Sequence, residues 1–360
     1  MARRIAAIAL AAATIVSGCA TAPNEIAAPQ TGSSAAQAAA DAIDAGPQPD
    51  WVAGASEDYP RLHYLTSRTG GDSAEQARQR ALANLTDYFL IDTEAVGMTL
   101  QQAADAAGYE LKRSHMGPSA QTVAAPEVER VLEKIEVVEQ WFDNDANTYH
   151  ALAAVPRNTA KGYLQDQIQA LDEQTREYMK QARSDPDPFV QAGTIAMAWR
   201  AQQIRAQLQQ SMQHADLTGR GIKPEFNLAL IKQDAENLLT TLQIQPAGLE
   251  GEPNAERVAQ LIRGGLLTQD LNPAAENADY MLRGSLETAV IGERNGWAVG
   301  HGTLKLVLTD KVTGRVLGST EWQVEVPGLD EGAAIRRVYE KTEYMLKVKM
   351  RDVLMEMAMQ

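Results

Sequence analysis

YMLRGSLETAVIGERNGWAVGHGTLKLVLTD, residues 280–310, repeats its apolar side chains with a period of two. Tyr280, Leu282, Leu286 and Val290 fall on one face, with Arg283, Ser285 and Glu287 opposite. That alternation marks a half-buried strand, because successive side chains of an extended chain point to opposite faces. Asn295-Gly296 interrupts it, and both residues tolerate the positive φ of a two-residue hairpin turn. Leu304, Leu306 and Leu308 resume the buried face. Asp310 to Gly314 turns the chain again, and Val316, Thr320, Trp322, Val324 and Val326 supply a third strand. A one-sided meander needs a cover. The last segment offers one, a long helix presenting Ile335, Val338, Thr342, Met345, Leu346, Met350, Val353 and Met357. Its six lysines and arginines are interspersed with acids and read as a solvated face. Upstream, Leu242 to Gln245 reads as a short strand, and Pro253 starts a helix through Ile262 that Gly264-Gly265 can stop.

The code before residue 242 is helical. Leu164, Ile168, Leu171, Thr175, Tyr178 and Ala182 alternate by four and three, one continuous stripe. Asp185-Pro186-Asp187-Pro188 must end that helix. Val190, Thr194, Met197, Ala201, Ile204 and Leu208 form a second stripe, so the short break predicts an antiparallel hairpin. It reads as a packed structural arm rather than a seam for a partner helix. A third helix over Glu225 to Thr241 carries Leu228, Ile231, Ala235 and Leu238.

Residues 51–157 make a smaller mixed unit. Tyr59-Pro60 opens an extended segment through Thr66, since a residue before proline avoids the helical region. Gly70-Gly71 turns into a helix that Ser73 and Gln76 can cap, with Ala77, Ala81, Leu85 and Phe89 on one face. Ile91 to Val96 reads as a strand, Leu100 to Ala107 as a helix, and much of 97–130 as a Gly/Pro loop. Ile135 to Phe142 and Thr148 to Val155 are two strands joined by Asp143-Asn144-Asp145-Ala146-Asn147. The expected fold class is therefore α+β: two small antiparallel-sheet-plus-helix domains, 51–157 and 242–360, flanking a long antiparallel helical hairpin with its connecting helix at 158–241.

The amino-terminal 50 residues follow a different logic. Arg3 and Arg4 precede the apolar run Ile5 to Val16, then Ser17, Gly18 and Cys19, the sole cysteine. This is the layout of an export signal, residues 1–18, and the run is too short to span a bilayer as a helix. Val16-Ser17-Gly18-Cys19 resembles the lipobox of bacterial lipoproteins. The resemblance implies a diacylglyceryl group on the Cys19 sulfur, cleavage before it and acylation of the new amine. At about 0.8 kcal/mol per buried methylene, two or three acyl chains anchor a protein stably. Ala20 rather than Asp after the cysteine implies, by the same resemblance, sorting to the outer membrane. Residues 19–50 then form an acylated tether, rich in Ala, Ser, Gly, Pro, Gln and Thr from residue 20 on. Those residues lack the aromatic side chains that would offset ordering entropy, which predicts disorder. A helix through SSAAQAAADAIDA, residues 33–45, is the alternative.

The chain carries a net charge of −14, more negative still once Arg3 and Arg4 are removed. Such a surface repels phosphate backbones and argues against nucleic acid as a partner. With Cys19 acylated no thiol remains for a disulfide, so stability must come from buried cores.

Two wider resemblances follow. Tyr59-Pro60, Tyr64-Leu65-Thr66, Ser73, Ala77, Ala81, Tyr149 and Leu152-Ala153 stand where the LPP-twenty family of bacterial lipoproteins places its recurring residues, although Ser67 and Thr69 occupy expected glycine positions. That family implies no assigned enzymatic activity. Ala278-Asp279-Tyr280, Gly284, Asp310, Thr313-Gly314 and Trp322 are similar to the superfamily of the curli-assembly lipoprotein and the penicillin-binding-protein activator of outer-membrane type.

Other candidate chemistry is thin. Asp143-x-Asp145-x-Asn147 copies half a calcium loop, but Thr148 stands where glycine is needed and Ala154 where the bidentate Glu should be, so a hairpin turn is expected. Gly70-Gly71-Asp72-Ser73 could place amides around an anion, yet lacks the lysine of a phosphate loop. His63, His115, His150, His214 and His301 show neither metal spacing nor a catalytic motif, and His150 reads as structural. No catalytic residue, metal or cofactor is therefore expected. The expected role is a non-enzymatic outer-membrane lipoprotein facing the periplasm, held by lipid and binding or scaffolding a periplasmic protein partner. An activator of a peptidoglycan synthase is the first alternative and an envelope hydrolase the second.

Overall fold

The computed structural model describes residues 46–108, 122–124, 128–274 and 277–360. Cys19, the tether and its alternative helix up to residue 45, and residues 109–121 and 125–127 of the Gly/Pro stretch lie outside the described residues. The described residues belong to one compact unit, and α+β is its class. In order come α1 (Asp50–Ala53), β1 (Tyr64–Gly71), α2 (Ala74–Thr86), β2 (Leu90–Asp92), α3 (Leu100–Ala107), β3 (Thr122–Ala124), α4 (Glu129–Leu132), β4 (Glu136–Asp143) and β5 (Thr148–Pro156). The first sheet has the order β1-β5-β4, all antiparallel. Ala77, Ala81, Leu85 and Phe89 are fully buried and seat α2 and the turn after it on Ala151, Ala153 and Val155.

Three local expectations change. Tyr59-Pro60 does not open a strand, because the Pro60 carbonyl accepts from the amides of His63 (2.9 Å) and Tyr64 (3.0 Å), closing a turn. β1 starts after it and runs through both glycines. The strand expected over Ile91 to Val96 stops at Asp92, whose Oδ1 accepts from the amides of Glu94 (3.0 Å) and Ala95 (3.1 Å). A side chain that turns its own backbone ends the ladder. Ser73 Oγ does cap α2 by accepting from Gln76 N, while Gln76 Oε1 accepts from Asp72 N, one residue before the expected position.

The chain before Trp51 is not all tether. Trp51, Trp141 and Leu152 form a small buried cluster on the outer face of the first sheet. Trp141 Nε1 donates to the Gly46 carbonyl (3.1 Å), and Arg68 donates to the carbonyls of Trp51 and Val52. Residues from Gly46 onward therefore cover a face that the sequence pattern leaves open.

The helical hairpin is α5 (Arg157–Ser184) and α6 (Pro188–Ala215). The first stripe is buried from Leu164 to Ala182, apart from a partly buried Tyr178. The second stripe is only half as expected: Ala201, Ile204 and Leu208 are buried but Val190, Thr194 and Met197 only partly. Phe189, Ala192, Gly193, Ile195, Ala196, Ala198 and Gln202 are buried instead, so α6 is enclosed around most of its circumference. The hairpin is therefore a spine rather than an arm. Ala160, Leu164, Ile168, Ile204, Leu208 and Met212 belong to the first core, while Ala182, Phe189, Ala192, Ile195 and Ala198 belong to the second.

Polar groups fix how the spine sits. The Arg157 guanidinium, 8% exposed, donates to the carbonyls of Arg61, Tyr64, His214 and Ala215, satisfying orphan acceptors at the end of α6. Between the helices, Gln202 donates to Asp172 Oδ1 (2.9 Å) and Thr175 Oγ1 (2.8 Å), and Arg205 Nε lies 3.3 Å from Asp172. Just past α6, Asp216 accepts from the Thr218 hydroxyl and from Lys161 (3.3 Å). These contacts, the hydroxyl foremost, hold its carboxyl down at about 2. A depressed carboxyl stabilises the fold above its unfolded range near 4, and that contribution is lost as pH falls through about 2. In denaturant titrations the stability lost on Asp216→Asn is expected to shrink as the buffer is taken from pH 5 to pH 2. A difference that does not change over that interval refutes the assignment.

The second layer comprises α7 (Leu228–Thr241), β6 (Gln243–Gly248), α8 (Ala255–Thr268), β7 (Asn272–Pro273), β8 (Tyr280–Arg294), β9 (Trp297–Asp310), β10 (Val316–Gly328) and α9 (Glu331–Ala358). Its sheet runs β10-β9-β8-β6-β7. The meander is antiparallel with Asn295 and Gly296 at positive φ in the turn, as the pattern predicts. β6 is parallel to both β7 and β8, so α8 is a crossover and this sheet is mixed. The glycines at 264 and 265 do not stop α8. A Cβ on Gly265 would sit 3.0 Å from the Leu346 carbonyl, so the absent side chain lets α8 and α9 approach closely. Gly302 does the same for Val338 of α9, whose Cγ1 stands 2.3 Å from where a Cβ would be. Val316, expected on the buried face, is 59% exposed because a bulge between it and Gly318 flips the parity. Tyr280 donates to Asp187 Oδ1 (2.5 Å), tying the bend of the spine to the start of β8. Burial, then that carboxylate, raises the phenol's pKa.

Candidate functional site

The sequence-stated candidates for chemistry are absorbed by their own loops. Asp143 Oδ1 accepts from the amides of Asp145 (2.9 Å) and Ala146 (3.0 Å), so the half calcium loop is a turn, with Asn147 at positive φ. The amides at Asp72 and Gln76 already have side-chain acceptors, which leaves neither for an anion. His63 lies in the turn before β1, His150 stacks on Trp141 (5.5 Å), His214 stands beside Tyr88 (5.5 Å), and His301 faces Glu325 (3.7 Å). His115 lies outside the described residues, as does Cys19. Among the described residues no three His, Cys, Asp or Glu side chains converge on one point. The basic residues of α9 are not all solvated: Arg337 donates to the Pro327 carbonyl (2.8 Å), Arg351 to that of Gln269 (2.5 Å), and Lys347 pairs with Glu343 (2.6 Å).

What the structure assembles instead is a groove at the tip of the β8–β9 hairpin. Both strands run past the helical cover, because Asp330 caps the start of α9 by accepting from Ala333 N (2.7 Å). Ile291 falls on the outward face by the strand's period of two, at the bulge between Val290 and Gly292. The result is a groove of about 500 Å³ lined by Arg294, Trp297, Val299, Glu325, Pro327 and Arg337, among others. Trp297 is 40% exposed, and Ile291 and Leu329 are also exposed. Pro327 removes one donor from the outer edge of β10, and Arg337 occupies its carbonyl, so this end of the edge is blunted against strand addition. The groove pairs apolar surface with two guanidinium groups against the single carboxylate of Glu325, on a chain of net charge −14. It can take an extended segment whose side chains are apolar and acidic.

Sequence reading missed this site. Asn295-Gly296 was legible as a turn, and by period both Ile291 and Trp297 fall on the outward face; what the sequence does not carry is the approach of Pro327 and Arg337 that completes the groove. A tryptophan directly after a hairpin turn, where a solvated tip calls for polar residues, was the available signal.

No family model and no curated protein sequence matches the chain. The resemblances to the LPP-twenty family and to the activator superfamily therefore stand on their motif residues alone. Solved structures give partial likenesses. A secreted protein from Helicobacter pylori is 15% identical over 79% of this chain and 97% of that one, with a TM-score of 0.36. A minor lipoprotein from Acinetobacter baumannii is 6% identical over 32% of this chain and 91% of its own, TM-score 0.24. The rare lipoprotein B from Shewanella oneidensis is 14% identical over 32% and 91%, TM-score 0.19. Likenesses this partial carry no argument about what the chain does. No helix among the described residues is long and apolar enough to cross a membrane.

Proposed function

We propose that this chain is a lipid-anchored outer-membrane lipoprotein facing the periplasm, non-enzymatic, that binds another envelope protein through the β8–β9 tip groove. One observation carries the reading: the sole cysteine follows the run Ile5 to Val16 in Val16-Ser17-Gly18-Cys19, which resembles the lipobox of bacterial lipoproteins. A free thiol has no use there, since thiolate chemistry needs an electropositive, shaped surround. The acyl chains hold the amino terminus on the membrane. The tip groove supplies the binding role, with Trp297 as the aromatic anchor and Arg294 and Arg337 selecting acidic partners.

Cys19→Ser is expected to move the protein from the membrane pellet to the soluble periplasmic fraction. Mass spectrometry of the wild-type amino terminus should find the diacylglyceryl adduct on Cys19. An unmodified residue, or a variant that still pellets, overturns the anchor. For the groove, a photo-crosslinker at Trp297 should capture one envelope protein far above its abundance, while one at the exposed Glu321 should not. Capture of a peptidoglycan synthase favours the activator reading, and recovery that merely follows abundance removes the groove from the proposal.

A further inference from the structure

A second cavity, of about 270 Å³, opens between α6, the carboxy-terminal half of α9 and the turn at residues 96–98. It lies more than about 20 Å along α9 from Arg337 of the tip groove, at 1.5 Å per residue. Arg200 lines it and is only 7% exposed. Among the described residues its guanidinium has no hydrogen bond and no ion pair, unlike the equally buried Arg157 and Arg205, whose donors are taken by carbonyls and a carboxylate. Its nitrogens are not sealed from solvent and so open onto the cavity; a charge this largely buried is ordinarily paired. Burial accordingly pulls its pKa down, against the more distant charges of Glu356 and Asp105.

The rest of the lining is complementary rather than uniform. Gln203 Oε1 is buried in the same wall without a hydrogen-bond partner. Asp352 and Glu356, one turn apart on α9, lie at the rim, exposed and making no ion pair among the described residues. Met98 and Met355, both buried, supply apolar walls, and methionine adapts readily to small apolar groups. The cavity thus offers a fixed cation, an unused carbonyl acceptor beside two carboxylates, and an apolar lining. A simple anion would satisfy Arg200 but meet the rim acids. A simple cation would do the reverse.

We infer that this cavity binds a small zwitterion of the class of an α-amino acid with an apolar side chain, its carboxylate on Arg200, its ammonium on Gln203 and the Asp352/Glu356 rim, and its side chain between Met98 and Met355. This assignment is independent of the tip groove.

Isothermal titration of the purified full-length chain in detergent tests it with L-leucine and its two halves, 4-methylpentanoate and 3-methylbutylamine. L-leucine should bind saturably at one site, with each half-molecule weaker by about tenfold or more, the loss expected on removing one charged hydrogen-bonding group. Arg200→Met and Glu356→Gln should each weaken L-leucine by a similar factor. Glu356 is exposed, so that variant tests the site even where Arg200→Met perturbs folding. No saturable binding of L-leucine, equal binding of 4-methylpentanoate, or binding unchanged in both variants overturns the inference and leaves Arg200 as a solvated buried charge.

Discussion

Asp172→Ala is expected to lower the unfolding free energy by about 3–5 kcal/mol, the range for removing one partner of a buried ion pair. Asp172 and Arg205 face each other inside the hairpin, with side chains 11% and 2% exposed. The loss does not measure the worth of the pair. It arises because Arg205 is left charged in a space that water reaches poorly, while Gln202 loses the acceptor that aligns it. The paired substitution Asp172→Leu with Arg205→Met removes both charges and is expected to recover most of the loss. Urea denaturation of the two variants checks this. A single variant within about 1 kcal/mol of the parent would mean that the pair is effectively solvated.

Trp51→Ala is the other large effect, about 3–5 kcal/mol for truncating a fully buried aromatic side chain. Trp51 is 1% exposed, yet it belongs to a short segment that covers the first sheet from outside. The cost should therefore appear as local opening rather than global unfolding. Hydrogen exchange at Glu57 and Tyr59, whose amides donate to Asp50 and Ser56, is expected to rise steeply. The midpoint of global denaturation should move much less. Unchanged exchange at those two amides would show that the segment is held by Arg68 and the Gly46 carbonyl without the indole.

The elements themselves were legible wherever a repeat was local. The alternation in residues 280–310, the Asn295-Gly296 turn, the stripe from Leu164 to Ala182 and the helix from Leu100 to Ala107 all depend on neighbours within a turn or a strand pair. Legibility failed where a residue answers to something distant. Gly264-Gly265 resembles a helix stop until α9 is laid against it. Val316 leaves the core because of one bulge against β9, whereas the stop at Asp92 is a local turn onto Glu94 and Ala95 that the strand reading passed over. Neither the tip groove nor the Arg200 cavity has a motif, because each is built from segments far apart in the chain.

The amino-acid sequence by itself determined the alternation of helix and strand, the places where the chain turns, and the single cysteine behind an apolar run on which the anchoring proposal rests. These follow from short-range sterics, side-chain period and composition, which need no partner segment. Only the tertiary structure decided that the hairpin belongs to two cores at once, that Trp51 closes the outer face of the first sheet, and that Arg200 is largely buried with no hydrogen bond or ion pair among the described residues. Burial and pairing are properties of which surfaces meet, and no local pattern carries that information.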